Sequence, residues 1–419
     1  EKRMKKTLVS IAAASLIVSS AMAADKGIDI VTTGQAVLYY NAAATNASSP
    51  NDQDLFGTGA NDNTRANAGI QLNMDADLKN GFTFGSTLNY LGTLGLEKNV
   101  VTATMQNTAA TQSDIYLSQL FIAKKIANTT FKLGRQELPQ SLSPFAYSEG
   151  WNVFTNTFDA MLVINSDIPD TTLVGAYVSK TNGNGFGNDM STFNDLSVNN
   201  NAITGVPGAS VDGTAYMLTA QNKSIPMTTV TASYYDVAQV GGGEGASILW
   251  GDVAVADKSL PMGLKLGVQG GQIAPEASGS NDTDAFGVKV GIAPIENLTL
   301  CAAYTSVNDG DVQVRNTGGV KTPLYTQLVG NQASIALDNN TYMLKAAYNT
   351  GDYGTVILQG TQTSDESIAD RDLTNIELVY KVQAGGVDFL AAYINQAWSE
   401  KVATVDAQDI VRVVARYNF

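Results

Sequence analysis

Histidine is absent from the 419 residues, and cysteine occurs once, at Cys301. Ser-His-Asp triads, Cys-His pairs and histidine-ligated metals are therefore excluded, and with them the hydrolases whose active sites use a histidine. No catalytic residue is assigned. A single cysteine closes no intrachain disulfide, and Cys301, alternating with Leu300 and Ala302, reads as inert filler. Charge is scarce, at 15% of residues. Outside the N-terminus no apolar run approaches the roughly 20 residues that a spanning helix needs, which excludes a helical membrane protein. No repeat of about 20–50 residues recurs, so solenoids and propellers are unsupported. The glycine clusters Gly183–Gly187 and Gly241–Gly245 follow no strand-to-helix pattern and read as loop tips.

What is present begins with an export signal. Lys5 and Lys6 form a basic start, Leu8 to Val18 an apolar stretch, and Ala21-Met22-Ala23 a small-x-small cleavage site. Residues 1–23 are read as a signal peptide cut after Ala23, with Glu1 to Arg3 as non-native residues ahead of Met4. Cleavage removes Lys2, Arg3, Lys5, Lys6 and Glu1, a net of +3, and takes the formal charge from −14 to −17. A surface so acidic repels nucleic acid.

Residues 24–419 carry one dominant signal, period-two alternation. In Arg65–Leu78 one face reads Ala66, Ala68, Ile70, Leu72, Met74, Ala76, Leu78, and the other Arg65, Asn67, Gly69, Gln71, Asn73, Asp75, Asp77. That length suits a tilted bilayer crossing, which takes roughly 9–11 residues. Lys265, Lys289 and Lys345 each fall on the face opposite the apolar residues of their segments, as lipid outside and water inside require. Short links such as Lys79-Asn80-Gly81 and Gln383–Gly385 alternate with long ones at 42–63, 93–112, 136–157, 180–212 and 306–339. Candidate strands run from 30–41 to 408–419, and their number is about 18 (16–18). The predicted fold is all-β, a single transmembrane antiparallel barrel with short periplasmic turns and long external loops. Aromatics near strand ends (Tyr39, Tyr40, Tyr90, Tyr177, Tyr234, Tyr235, Trp250, Tyr304, Tyr393) suit interfacial girdles. The last strand alternates Val411, Val413, Ala415, Tyr417 and Phe419 with Arg412, Val414, Arg416 and Asn418. An aromatic terminus of this kind is an assembly signal, here Tyr417 and Phe419, for the barrel assembly machinery.

In the signal peptide, the Gly34-Gln35-Ala36-Val37-Leu38-Tyr39-Tyr40 strand, the Leu133-Gly134-Arg135-Gln136 entry to the third long loop and the terminal Arg416-Tyr417-Asn418-Phe419, the chain resembles the major outer membrane porins of the campylobacter and epsilonproteobacterial type. Gly134-Arg135-Gln136 is also similar to specific porins of the OprD-like kind. The resemblance implies a homotrimer in the outer membrane, passive diffusion of small hydrophilic solutes and ions, cation preference and calcium in the loops. The third long loop, 136–157, is richer in apolar residues than its neighbours and, as in general porins, is expected to fold into the pore, where Arg135, Glu137 and Glu149 would help form the constriction. Opposed charges across a low-dielectric waist filter solutes by charge. The alternative is that the loop packs against the wall with its charges solvated.

By phase, lumen candidates are Arg65, Asp75, Lys132, Lys265, Lys289, Lys345, Glu377, Lys381, Arg412 and Arg416. Acidic loop residues such as Asp52, Asp62, Asp309 and Asp338 could bridge lipopolysaccharide through divalent cations, and ordinary solvation explains them equally well. Three other functions stay open: a surface adhesin or structural barrel, a soluble extracellular binding or enzyme domain, and an electron-conduit barrel, which would demand a haem-bearing partner since the chain has no CxxCH motif.

Overall fold

A computed structural model describes residues 28–47, 53–108, 113–196, 213–238, 244–366, 371–402 and 405–419. The expected signal peptide lies outside these residues. Eighteen antiparallel strands form the wall among the described residues. They are β1 Asp29–Ala47, β2 Asn63–Lys79, β3 Phe82–Gly92, β4 Asp114–Ile126, β5 Thr129–Gln136 and β6 Phe158–Asn165. Next come β7 Thr171–Thr181, β8 Ala215–Asn222, β9 Thr228–Val237, β10 Ala246–Ala256, β11 Lys265–Pro275 and β12 Thr283–Ile295. The last are β13 Leu298–Val307, β14 Asn339–Asn349, β15 Thr355–Asp365, β16 Arg371–Ala384, β17 Val387–Val402 and β18 Val405–Asn418.

Each strand pairs with its sequence neighbours, and β18 returns to pair with β1 from Gln35↔Asn418 to Ala47↔Val405. Closure leaves no open edge, so every ladder is satisfied without water. The seam is finished by Phe419, whose N–H donates to the Gly34 carbonyl at 3.0 Å and whose carbonyl accepts from the Gly34 N–H. A Cβ on Gly34 would stand 2.3 Å from the Phe419 ring, so the terminal aromatic lies on a site that only glycine leaves free. At the other limit of chain economy, Gly385 and Gly386 join β16 to β17 in two residues, both at positive φ (58° and 81°). That is the geometry a tight hairpin needs.

The alternation decides which face is which. On β14, Leu344 is 70% exposed and Met343 beside it 6%. Leu266, Val268, Val288, Val290, Leu358 and Leu378 share the outer face with Leu344. An exposed apolar surface of this extent is a lipid-facing one. The tyrosine pairs Tyr177–Tyr216 and Tyr304–Tyr342 meet at a tilt on the outside toward the long-loop end, with ring centroids 5.3 and 4.8 Å apart. Three aromatics expected in that girdle point inward instead. Tyr39, Tyr235 and Trp250 are buried, because each falls on the inner phase of its strand and meets a loop that fills the interior. The β11 strand starts only at Lys265, since Pro261–Gly263 form a single 3-10 turn with Met262 at φ 53°.

Two connections fill most of the interior, and Met105 and Met190, from the connections before β4 and after β7, pack beside them on Val153 and Phe154. Loop residues Leu138, Phe145 and Ala146 pack with Val312, Val314, Leu324 and Ile335 from the 308–338 connection against wall residues Tyr235, Ile248 and Trp250. The apolar core therefore lies inside the barrel, between its wall and two loops.

Candidate functional site

The first inward loop, 137–157, is seated by complementary shapes. The Phe145 ring meets Tyr235 and Trp250 edge-on at 5.8 and 5.2 Å. Phe154 lies where a side chain on Gly69 would be, 2.5 Å from the ideal Cβ position. Polar groups complete the fit. Arg416 of β18 donates to the carbonyls of Asn152 (2.6 Å) and Val153 (2.9 Å) and to Gln35 Oε1 (2.8 Å).

Two buried carboxylates hold the second inward loop, 308–338. Glu149 Oε1 accepts from Asn316 Nδ2 and from the Lys321 N–H, both at 2.8 Å. Its Oε2 accepts from Trp151 Nε1 (2.8 Å) and from the Val320 N–H (3.1 Å). On β16, Glu377 Oε1 accepts from the Val329 and Gly330 N–H groups and Asn375 Nδ2, each at 2.9 Å, and Oε2 accepts from Gln359 Nε2. Each carboxylate thus has four donors, which compensates a burial that would otherwise be prohibitive. Tyr147 adds a hydroxyl bond to the Thr322 carbonyl at 3.2 Å. Burial, and then the charge of Glu149, push its pKa well above the usual tyrosine value, so the phenol stays a neutral donor.

The three residues expected at the constriction separate. Arg135 faces outward, in phase with the exposed Phe131 and Leu133. Its Nε pairs with Asp159 Oδ1 at 2.9 Å, and its guanidinium lies 3.3 Å from the centre of the Phe193 ring. The physical reason is register: Arg135 pairs across the ladder with Leu120 and Asp159, both on the outer phase. Glu149 is 2% exposed and committed to the loop. Only Glu137 borders open space, in a small cavity of about 280 Å³ that also reaches Arg416, and it accepts from Thr155 Oγ1 at 2.6 Å.

All ten lumen candidates fall on the inner phase of their strands, in differing company. Arg65 is tied to Asn63 Oδ1 and the Thr104 carbonyl at the long-loop end. Lys132 sits 3.8 Å from the centre of the Phe121 ring, within electrostatic reach of Glu137 and Asp75. Lys289 stacks on Tyr325 at 3.7 Å. Lys345 stands opposite Cys301 across the β13–β14 ladder, and Lys265 is exposed at the start of β11. Arg412 donates from Nε to Asn41 Oδ1 at 3.1 Å and lies between the Tyr39 and Trp151 rings.

Open space divides into two main lobes. One, of about 760 Å³, is bordered by Lys321, Lys381, Arg412 and Arg416, with Asp388 as its single acidic side chain. The other, of about 650 Å³, is bordered by Lys289, Lys321, Asp252, Tyr325 and several glutamines. Lys321 borders both. The sequence reading missed this residue and its loop. A trace was present in the sequence: Val312, Val314, Leu324, Leu328 and Ile335 are apolar in a connection assumed to face water. Among the described residues no three Asp, Glu or Cys side chains converge to hold a metal ion.

No protein-family model matches this sequence, and no curated relative does. Solved structures do match by fold. Pseudomonas aeruginosa OccK8 (OprE) superposes with a TM-score of 0.73 at 14% identity, covering 93% of this chain and 98% of that one. Acinetobacter baumannii OccAB3 gives 0.73 at 14%, covering 93% and 99%. Pseudomonas aeruginosa OccK9 (OpdG) gives 0.73 at 15%, covering 94% and 98%. These neighbours are outer membrane porins of the Occ/OprD family. At such identities the likeness is one of fold.

Proposed function

We propose that this chain is an outer-membrane channel through which small hydrophilic solutes diffuse, and that the favoured solutes are anions. The supporting observation is the larger lobe, where four cationic side chains face one carboxylate. Low-dielectric walls focus such a field, so local lining outweighs total charge. The resemblance and a net charge of −17 pointed to cation preference, but of the acids inside the barrel Glu149 and Glu377 are each saturated by four donors, which leaves Asp388 and Asp252 as the carboxylates bordering the lobes. The barrel fold shared with the Occ/OprD porins supports the transport reading. Membership of the campylobacter-type major porins, a homotrimer, calcium in the loops, lipopolysaccharide contacts and recognition of Tyr417 and Phe419 by the assembly machinery rest on the sequence layout.

Planar-bilayer recording tests the function. Stable ohmic steps with a reversal potential of the sign set by chloride in a KCl gradient are expected. A barrel that acts only as an adhesin gives no steps, and a potassium-set reversal potential overturns the anion preference.

A further inference from the structure

The cations around the larger lobe are not equivalent. Arg416 spends its guanidinium on two loop carbonyls and Gln35, and Arg412 is bonded to Asn41 between two aromatic rings. Arg416 thus seats the first loop with both its Nη groups engaged, and Arg412, bonded through Nε alone, is held against the wall and the Trp151 ring. Lys321 differs. Its backbone N–H is fixed by Glu149, while its ammonium has no hydrogen bond or ion pair among the described residues. Lys381 of β16 has no such partner either, but it borders only the larger lobe, whereas Lys321 stands at the partition between the two lobes, on the loop and not on the wall.

From this geometry we infer that Lys321 is the specificity-determining residue of the channel, contacting a small anion such as chloride or a carboxylate as it passes between the lobes. A partly buried cation without an internal partner draws its counter-ion from solution. The acids that could neutralise it, Glu149 from the first loop and Glu377 from β16, each already accept four donors. Arg412 from β18 and Lys381 from β16 add like charge. Burial, opposed by Glu149, lowers the pKa of Lys321 below the usual lysine value. Its charge is therefore lost at a lower pH than that of an exposed lysine.

The inference rests on the proposed anion preference, and one experiment separates their failures. Reversal potentials in a KCl gradient are measured for wild type, Lys321→Gln, Lys321→Arg and a control, Lys258→Gln, at an exposed turn. Heat-modifiable gel mobility reports folding. Wild type and control are expected to favour chloride, Lys321→Gln to lose at least about threefold of that ratio, and Lys321→Arg to keep it. A wild type that favours potassium overturns the anion reading itself. A chloride-selective wild type with a folded, unchanged Lys321→Gln overturns only the role of Lys321. If Lys321→Gln does not assemble, the pH profile decides. Wild-type chloride preference should fall as pH rises into the alkaline range, and Lys321→Arg should move that fall upward. Coincident profiles overturn the inference.

Discussion

The wall and the two inward loops are held by different physics, although they are in contact along much of the barrel. The wall is a series of local ladders between sequence neighbours, and its stability comes from satisfied backbone groups and from the lipid that covers Leu344, Leu358 and their like. The loops have almost no regular structure. They stay in place because a few side chains, chiefly Glu149, Glu377 and Arg416, supply the partners that loop backbone groups would otherwise take from water. The wall should therefore tolerate changes to its inward side chains that the loops do not, and the loops should be separable from the barrel without unfolding it.

Substitution can break that contrast at graded cost. Glu377→Ala removes four charge-assisted contacts, two of them to the Val329 and Gly330 N–H groups of the second loop, worth about 3 kcal/mol to its docking. Heat-modifiable mobility should persist while proteolysis in 308–338 quickens and conductance rises. A barrel that fails to form would show that wall and loop fold as one unit.

Leu344→Arg should cost the wall about 2–4 kcal/mol if the site lies near the bilayer midplane, read by denaturant unfolding in liposomes. Lys345→Gln, one residue on but facing inward, should leave that midpoint nearly unchanged.

Gly319→Ala places a Cβ 2.0 Å from Glu149 Oε1 and should cost about 1–3 kcal/mol by overpacking. Its recordings should resemble those of Glu149→Ala. A silent Gly319→Ala would mean that the carboxylate can retreat without losing the loop.

Arg135→Gln should do least. It removes a partly exposed ion pair worth about 0–1 kcal/mol together with the contacts to the Leu117 carbonyl and the Phe193 ring, all on the outside, and the reversal potential should not move.

Most of the wall was legible in advance. The first strands, the closing strand and the alternation of short and long links were readable because a two-residue period states directly which side chains face lipid. Lys265, Lys289 and Lys345 took the inner face for that reason. The interior was harder to read. Glu149 looked like a pore charge and proved to be a loop anchor, because its partners come from Asn316 to Lys321, far along the chain. Arg135 looked like its opposite charge and went outside, because the phase of β5 carries it there. Glu377 was placed on the correct face, but its four donors were not foreseeable.

By itself, then, the order of residues determined that this protein is a closed sheet with an apolar outside, since strand periodicity is a local property and lipid rewards only one phase of it. Which charges meet open space, and which are consumed in holding loops, was decided only by tertiary structure. The second-loop partners of Glu149 and the first-loop partners of Arg416 are brought together by barrel closure and loop packing, over separations of more than a hundred residues that no local pattern encodes.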